Sequence, residues 1–305
     1  MMRITVCLAA EEASPWMELF AAALPDAAVE ADAPGADYIV MVDPCHTALA
    51  GPSRPKALFT ATAGVAHVLR MPELAADLPV IRVEDAGMAA QMVRYVLAVA
   101  LRVHGRGDAY AAQQRRAAWE QHPPRDPATF AVGVLGMGVI GSAIARALAA
   151  QGFAVRGHAR GIRAVDGVRC YAGRAALPAF LTGLDLLVCV VPHTADTVDL
   201  LDRATLALLA DGAHLVNIGR GSVLVEDDLV ALLDSGKLGG ATLDVMREEP
   251  LPPDHAFWRH PAITITPHVS GRTIPADTVA QIARKIRGLA AGAPVTGVVD
   301  RARGY

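Results

Sequence analysis

The feature that most constrains the fold is a glycine-rich turn between an apolar and an alanine-rich segment, in FAVGVLGMGVIGSAIARALAA. It carries Gly136, Gly138 and Gly141 in GxGxxG spacing. The first glycine permits a tight turn, the second lets the backbone approach a pyrophosphate, and the third allows close helix-to-strand packing, with the helix N-terminus facing the anion. A strand before the loop and a periodic helix after it make this weak motif specific. We therefore predict a dinucleotide site that includes Val139 and Ile140, the alternative being a plain connecting turn.

The residue after the second strand of such a unit separates NAD from NADP. An NAD site usually carries Asp or Glu about 20 residues beyond the loop, where the carboxylate accepts hydrogen bonds from the ribose. Here Ala159 falls at that position, Arg160 and Arg163 follow, and no carboxylate occurs between Gly141 and Asp166. Guanidinium groups suit a 2′-phosphate. We expect NADP as cofactor, with NADPH preferred over NADH; a solvated basic turn is the alternative.

Strand-like segments with helical sequence between them predict the fold class. Those of the central region indicate a doubly wound parallel sheet, and they lie at 130–135, 154–158, 186–191, 214–218, 241–245 and 263–266. Shorter ones precede them at 4–8, 38–42, 57–59 and 80–83. We expect an α/β protein: a Rossmann-type doubly wound parallel sheet domain plus a smaller flavodoxin-like α/β substrate domain.

The chain length of 305 residues is about twice that of a usual domain, which also favours two domains. A buried helix at 87–103 should leave the first domain, and a helix at 281–291 should return to it. We predict a substrate-binding domain at 1–98 and 278–305 and a dinucleotide-binding domain at 99–277.

Composition narrows the class of partner. The net charge is −3 with mixed signs, which creates no field that attracts nucleic acid or anionic lipid. The longest apolar run, 186–191, is far shorter than the roughly 20 residues that span a bilayer. The amino terminus lacks a signal-peptide pattern, and no HExxH or paired Cys/His spacing suggests a metal. We expect a cytoplasmic protein with a small-molecule partner, no nucleic acid, no membrane and no metal.

Three further segments place chemically useful residues just after predicted strands. Arg220 lies in VNIGRGSVLVEDD, Glu248 and Glu249 in LDVMREEPLP, and His268 in TITPHVSG. The carboxyl ends of parallel strands share one edge, where ligands bind. An arginine holds a carboxylate with two bonds, and a cationic imidazole can protonate a carbonyl oxygen that receives hydride. Composition alone leaves either glutamate as the partner of His268. The alternatives are a surface ion pair for Arg220, a solvated loop acid for Glu249 and a structural turn histidine for His268.

The motifs GVLGMGVIG, VNIGRGSVLVEDDL, LDVMREEPLP and TPHVSG resemble those of the D-isomer-specific 2-hydroxyacid dehydrogenases over nearly the whole chain. More narrowly, EDAGMAAQM near residue 84, the Ala-Arg pair in place of an acidic residue, and the tail VDRARGY resemble the bacterial glyoxylate/hydroxypyruvate reductases of the A type. These motifs are more specific than GxGxxG.

The resemblance implies a role for each catalytic candidate. The residue matching Arg220 binds the substrate carboxylate and carbonyl, that matching His268 moves the proton, and Glu249, which precedes Pro250 as in the family motif, partners the histidine. The turn TATAGVAH resembles the loop whose backbone amides receive the substrate carboxylate, which makes Ala63, Gly64 and Val65 substrate-binding candidates together with Arg220 and His268. The expected cofactor contacts also include Val191, Pro192, Thr197, Ile218, Arg220, Asp244 and His268.

The activity implied is NADPH-dependent reduction of small 2-keto acids, glyoxylate and hydroxypyruvate, to 2-hydroxy acids, with His268 as general acid in a homodimer. Val42 stands where the A type has an aromatic residue, so bulkier 2-keto acids are an alternative. A non-catalytic NADP-sensing protein is another, against which the intact Arg220, Glu249 and His268 argue. The GxGxxG spacing disfavours a methyltransferase.

Overall fold

A computed structural model of the protein describes residues 1–8, 13–42, 46–50, 54–62, 64–302 and 304. The chain divides into two compact units, Met1–Met88 with Thr273–Tyr305, and Ala89–Arg272. The predicted boundaries, 98/99 and 277/278, fall within two helices, Met88–His104 and Pro275–Ala290. Each unit has its own sheet.

The first unit is built on a five-stranded parallel sheet in the order β2-β1-β3-β4-β5. Its elements are β1 (Met2–Cys7), α1 (Ala13–Ala23), β2 (Ala27–Ala31), β3 (Tyr38–Met41), β4 (Ala57–Thr60), α2 (Ala66–Leu69), β5 (Val80–Arg82) and the carboxy-terminal α9 (Pro275–Ala290). This strand order is the flavodoxin-like one.

Alternation along the strands gives this sheet a core on each face. In β3, Tyr38 and Val40 pack into the core that also contains residues of α1 and α9. Ile39 and Met41 point the other way, into the core that contains Val68 of α2. Since successive side chains of a strand alternate between the faces, the apolar run YIVM is what a strand covered on both sides requires.

The second unit contains a seven-stranded parallel sheet in the order β12-β11-β10-β9-β6-β7-β8. Its strands are β6 (Ala131–Leu135), β7 (Ala154–Ala159), β8 (Val168–Ala172), β9 (Leu186–Cys189), β10 (Ala213–Asn217), β11 (Leu238–Leu243) and β12 (Ile263–Ile265). Its helices are α3 (Met88–His104), α4 (Gly107–Arg115), α5 (Val139–Ala150), α6 (Leu177–Leu181), α7 (Arg203–Leu206) and α8 (Glu226–Asp234). The two sheets confirm the predicted fold class.

Several predicted elements differ from the observed ones. The edge strands β2 and β8 were not predicted, because neither contains a fully buried residue and their apolar pattern is weak. β11 begins at Leu238 rather than 241, since Gly239 and Gly240 obscure the strand signal; a Cβ on Gly239 would lie 2.5 Å from the Gly212 carbonyl oxygen. α9 begins at Pro275 rather than 281, with the proline in the first turn, where a missing N–H costs nothing.

Within the described part of the chain, no helix combines the length and apolar character needed to cross a bilayer.

Candidate active site

The strand order of the second sheet reverses between β6 and β9. From β6 the chain proceeds outward through β7 and β8, whereas β9 to β12 extend in the opposite direction. Loops that follow the two central strands therefore diverge and leave a crevice at the carboxyl edge, where ligands of such sheets bind. The glycine loop follows β6, and Val191 and Pro192 follow β9. These two segments border the crevice.

The geometry of the glycine loop fits a dinucleotide phosphate. Gly136 has φ of 107°, a left-handed conformation that favours glycine. A Cβ on Gly141 would lie 1.7 Å from the carbonyl oxygen of Gly136, so helix α5 approaches the turn too closely for any side chain at this position. By contrast, no atom lies within 4 Å of a Cβ built on Gly138. Of the three glycines, Gly138 is the one that faces open space, beside the start of α5 at Val139 and Ile140.

The end of β7 carries the predicted phosphate-binding arginines. Ala159 is the last residue of the strand, and its carbonyl oxygen accepts a hydrogen bond from the Gly173 N–H at 3.0 Å. Arg160 and Arg163 follow it, and both are exposed. Because β7 is the neighbour of β6, these side chains lie on the same edge of the sheet as the glycine loop.

The other predicted cofactor residues form part of the same edge. Thr197 Oγ1 donates to the Pro192 carbonyl oxygen at 2.6 Å and accepts from the Thr194 N–H at 2.8 Å, which fixes the turn after Val191. Ile218 is buried directly after β10. Their contact with a cofactor stays a prediction.

Arg220 lies in a loop shaped by a buried amide. Asn217, the last residue of β10, accepts from the Gly219 N–H at 3.2 Å and donates to the Arg220 carbonyl oxygen at 3.1 Å. A Cβ on Gly221 would lie 1.9 Å from the Met246 carbonyl carbon, so this loop packs directly on the one that follows β11. We did not predict the role of Asn217, although a short polar residue just before a turn is a known signal for such capping.

Most N–H groups of the Arg220 guanidinium form no hydrogen bond with the described residues. Its Nη1 donates to the Gly219 carbonyl oxygen at 2.6 Å, and no described carboxylate forms an ion pair with it. Burial lowers the pKa of Arg220, and the charge of Glu249 opposes this effect. Since a guanidinium has five N–H donors, most of them are available to an anionic ligand.

Glu249 joins the loops after β11 and β12. Its Oε1 accepts from the Met246 N–H at 2.9 Å, and its Oε2 lies 2.8 Å from His268 Nδ1. A carboxylate at Nδ1 makes this nitrogen the donor and leaves Nε2 to exchange a proton with a ligand. Glu249, rather than the neighbouring Glu248, is the glutamate that the structure brings to His268.

The loop of His268 is held by a buried carboxylate. Asp244 is 1% exposed, and its Oδ1 accepts from Thr266 Oγ1 at 2.5 Å and from the Val269 N–H at 2.9 Å. Its Oδ2 accepts from the Ser270 N–H at 2.9 Å. These bonds tie 266–270 to the end of β11. The predicted contact of Asp244 with the cofactor stays a prediction.

The predicted substrate loop belongs to the first unit. Ala63 lies outside the described residues. Gly64 accepts a hydrogen bond at its carbonyl oxygen from Thr62 Oγ1 at 2.9 Å, and the buried Val65 is the N-cap residue that directly precedes helix α2. The roles of Ala63, Gly64 and Val65 in substrate binding stay predictions.

Comparison with known proteins assigns the family. Residues 97–270 match the family described as D-isomer specific 2-hydroxyacid dehydrogenase, NAD binding domain. The chain is 42% identical over 302 residues, 96% of each chain, to the glyoxylate/hydroxypyruvate reductase A of Serratia proteamaculans. The chain belongs to the D-isomer specific 2-hydroxyacid dehydrogenase family. It is also 39% identical over 303 residues to the reductase of the same name from Yersinia enterocolitica, covering 96% of this chain and 97% of that one.

Solved structures of 2-hydroxyacid dehydrogenases share the fold of this one along its full length. That of the D-isomer specific 2-hydroxyacid dehydrogenase from Xanthobacter autotrophicus Py2, in complex with NADPH and MES, has a TM-score of 0.93 and 35% identity, with 100% of both chains covered. The NADPH-dependent glyoxylate/hydroxypyruvate reductase of Sinorhizobium meliloti, in complex with NADP and sulfate, has a TM-score of 0.88 and 33% identity, again over 100% of both chains. The predicted family is confirmed, and the chain is a 2-hydroxyacid dehydrogenase.

Alanine substitutions at Gly141 and Gly138 should affect stability and cofactor binding of this dehydrogenase differently, so each serves as the control for the other. Gly141→Ala should lower the melting temperature by several degrees, because its Cβ meets the Gly136 carbonyl oxygen at 1.7 Å. Gly138→Ala should leave the melting temperature unchanged and weaken dinucleotide binding at least roughly tenfold, since its methyl group enters the open side of the loop. Differential scanning fluorimetry and a cofactor titration measure the two effects. Unweakened binding by Gly138→Ala would show that the phosphate lies elsewhere.

Proposed function

We propose that the protein is an NADPH-dependent reductase of small 2-keto acids such as glyoxylate and hydroxypyruvate. The observation that carries the proposal is the partly buried Arg220, which has no carboxylate partner among the described residues, beside the His268 and Glu249 pair. The names of the relatives from Serratia proteamaculans and Yersinia enterocolitica and the NADPH or NADP in two structural neighbours support it.

Arg220 is the proposed receptor for the substrate carboxylate and the adjacent carbonyl oxygen. A 2-keto acid has two oxygens of carboxylate and one of carbonyl in a plane, which matches the planar fork of a guanidinium. Partial burial strengthens such bonds, because less water competes for the donors. The backbone amides of Gly64 and Val65 are the proposed second contact for the carboxylate.

His268 is the proposed general acid, and Glu249 its partner. Reduction of the carbonyl group requires a hydride at carbon, which a bound nicotinamide would supply, and a proton at oxygen. The proton would pass from Nε2 of the His268 imidazolium to the carbonyl oxygen as the carbon–oxygen double bond becomes a single bond. Glu249 Oε2, at 2.8 Å from Nδ1, accepts a hydrogen bond from this nitrogen, fixes the ring orientation and leaves Nε2 as the proton donor.

The glycine loop, the start of α5 and the arginines after β7 are the proposed cofactor site. The open side of Gly138 and the first N–H groups of α5 suit a pyrophosphate. Arg160 and Arg163 suit the 2′-phosphate that distinguishes NADPH from NADH, and no acidic residue stands at the end of β7 to bind a free ribose hydroxyl.

Substitution of the proposed catalytic residues should separate binding from proton transfer. Arg220→Ala should lose most turnover, because water cannot replace a bidentate carboxylate clamp; Arg259→Ala, at an exposed arginine of the same unit, is the control. His268→Gln should lower kcat about 10²- to 10⁴-fold. Steady-state kinetics of NADPH oxidation measure both, and near-normal rates would remove the residue concerned from the mechanism.

The pH dependence provides a second test of His268. A general acid must be protonated, so the rate of keto-acid reduction should fall as the pH rises. His268→Gln should flatten this alkaline limb in a plot of kcat against pH. If the limb persists unchanged in the variant, another group donates the proton.

Cofactor preference tests the arginines after β7. Arg160→Gln with Arg163→Gln should raise the Kd for NADPH roughly tenfold to a hundredfold and leave that for NADH nearly unchanged, because a hydrogen bond to a charged group is lost. Arg146→Gln, at an exposed arginine of α5, removes equal charge per residue as the control. Fluorescence titration with both cofactors measures the effect, and equal weakening of NADPH and NADH would contradict the assignment.

A further inference from the structure

Helix α3 presents polar side chains to the strands that carry the active-site loops. Tyr95 and Arg102 are seven residues apart, so they lie on the same face of the helix. The Tyr95 hydroxyl is 2.7 Å from Thr266 Oγ1, just after β12, and Arg102 Nη2 donates to Thr242 Oγ1 of β11 at 3.1 Å. The contact of Tyr95 is with the loop that carries His268, since Thr266 lies two residues before the histidine.

The carboxylate of Asp244 fixes the direction of this hydrogen-bond chain. Backbone N–H groups of Val269 and Ser270 donate to it, and Thr266 Oγ1 donates to its Oδ1 at 2.5 Å. A hydroxyl that gives its only proton to a carboxylate must accept at its lone pairs, so the Tyr95 hydroxyl is the donor to Thr266. Burial raises the pKa of Tyr95; the bond to Thr266 opposes this effect and the charge of Asp244 adds to it. The phenol therefore stays protonated and can act as the hydrogen-bond donor to Thr266.

The 266–270 loop, which these hydrogen bonds hold, contains a residue in a rarely adopted backbone conformation. His268 has φ of 53°, in the left-handed region that residues with a Cβ rarely adopt. Its N–H donates to the Asp244 carbonyl oxygen at 2.9 Å, while the Asp244 carboxylate binds the residues on either side of it. The direction in which the imidazole points therefore depends on Asp244, and the Thr266 hydroxyl is one of three groups that orient its carboxylate.

We propose that Tyr95 is a positioning residue for His268, acting through Thr266 and Asp244. The inference rests on the proposed function, in which His268 donates the proton. Tyr95 contacts neither the imidazole nor Glu249 in this assignment. Its hydroxyl donates a hydrogen bond to Thr266 Oγ1, and this bond keeps the 266–270 loop in the conformation that directs Nε2 of His268 toward the substrate. Its loss lets the loop sample other conformations, in which proton transfer fails while the binding groups remain.

The first test is Tyr95→Phe, which removes the hydroxyl and retains the buried ring. We expect kcat to fall roughly three- to tenfold, the usual effect of one lost neutral hydrogen bond, with KM for glyoxylate and Kd for NADPH within about twofold of the wild type. Tyr171→Phe is the matched control, because the Tyr171 hydroxyl forms no hydrogen bond with the described residues. An unchanged kcat for Tyr95→Phe, or a loss confined to KM or Kd, would overturn the proposal, whatever the melting temperature does.

A double-mutant cycle tests the route through Thr266. Thr266→Val should reduce kcat more than Tyr95→Phe does, and Thr266→Ser should restore most of the rate, because serine keeps the hydroxyl. Adding Tyr95→Phe to Thr266→Val should have almost no further effect, since the tyrosine then has no acceptor to position. Multiplicative losses in the double variant would show that Tyr95 acts by another route and would overturn the proposal.

His268→Gln separates this inference from the proposed function. If His268→Gln retains the wild-type rate, the proton-donor assignment fails, and the proposal for Tyr95 falls with it. If His268→Gln is severely impaired while Tyr95→Phe has the wild-type kcat, only the proposal for Tyr95 is wrong. If Tyr95→Phe lowers kcat in the wild type but has no effect in a His268→Gln background, the tyrosine acts through the histidine, as proposed.

Discussion

Parallel pairing of the seven strands in the second unit determines where Arg220, Glu249, His268 and the glycine loop lie. Parallel strands bring all their carboxyl ends to one edge, and apolar residues that are buried on both faces fix the register of the central strands. Arg220, Glu249 and His268 follow β10, β11 and β12, three neighbours in the sheet. These three candidate catalytic residues therefore require only three short loops at adjacent positions in the sheet.

Close backbone approach is the second constraint, and it explains two glycine motifs at once. Gly141 lies against the Gly136 carbonyl oxygen, and Gly221 lies against the backbone of Met246. In the first case the contact sets the start of α5 beside the phosphate loop. In the second it brings the loop of Arg220 onto the loop of Glu249, whose charge reaches the guanidinium. At both positions a side chain would collide with the neighbouring backbone, so only glycine permits these contacts.

Sequence patterns were sufficient for the fold class, and they placed the candidate residues Arg220, Glu249 and His268 after neighbouring strands. They were insufficient for the contacts that hold these residues in position. The buried central strands and the GxGxxG turn have strong local signals, whereas β2 and β8, at sheet edges and partly exposed, do not. Composition left Glu248 and Glu249 equivalent, and the hydrogen bond to His268 distinguishes them. The contact of Tyr95 with Thr266 joins residues 171 positions apart, which no local pattern can reveal.

The most direct test of the account is a set of initial rates for the wild-type protein with NADPH and NADH. Glyoxylate, hydroxypyruvate, pyruvate and phenylpyruvate should be compared at equal concentration with the same enzyme preparation. We expect fast oxidation of NADPH with glyoxylate and hydroxypyruvate, and slow oxidation of NADH with either. Faster turnover of phenylpyruvate would retain the mechanism and contradict the substrate class. Tight binding of NADPH without turnover of any of the four acids would contradict the central claim that the protein is a 2-keto acid reductase.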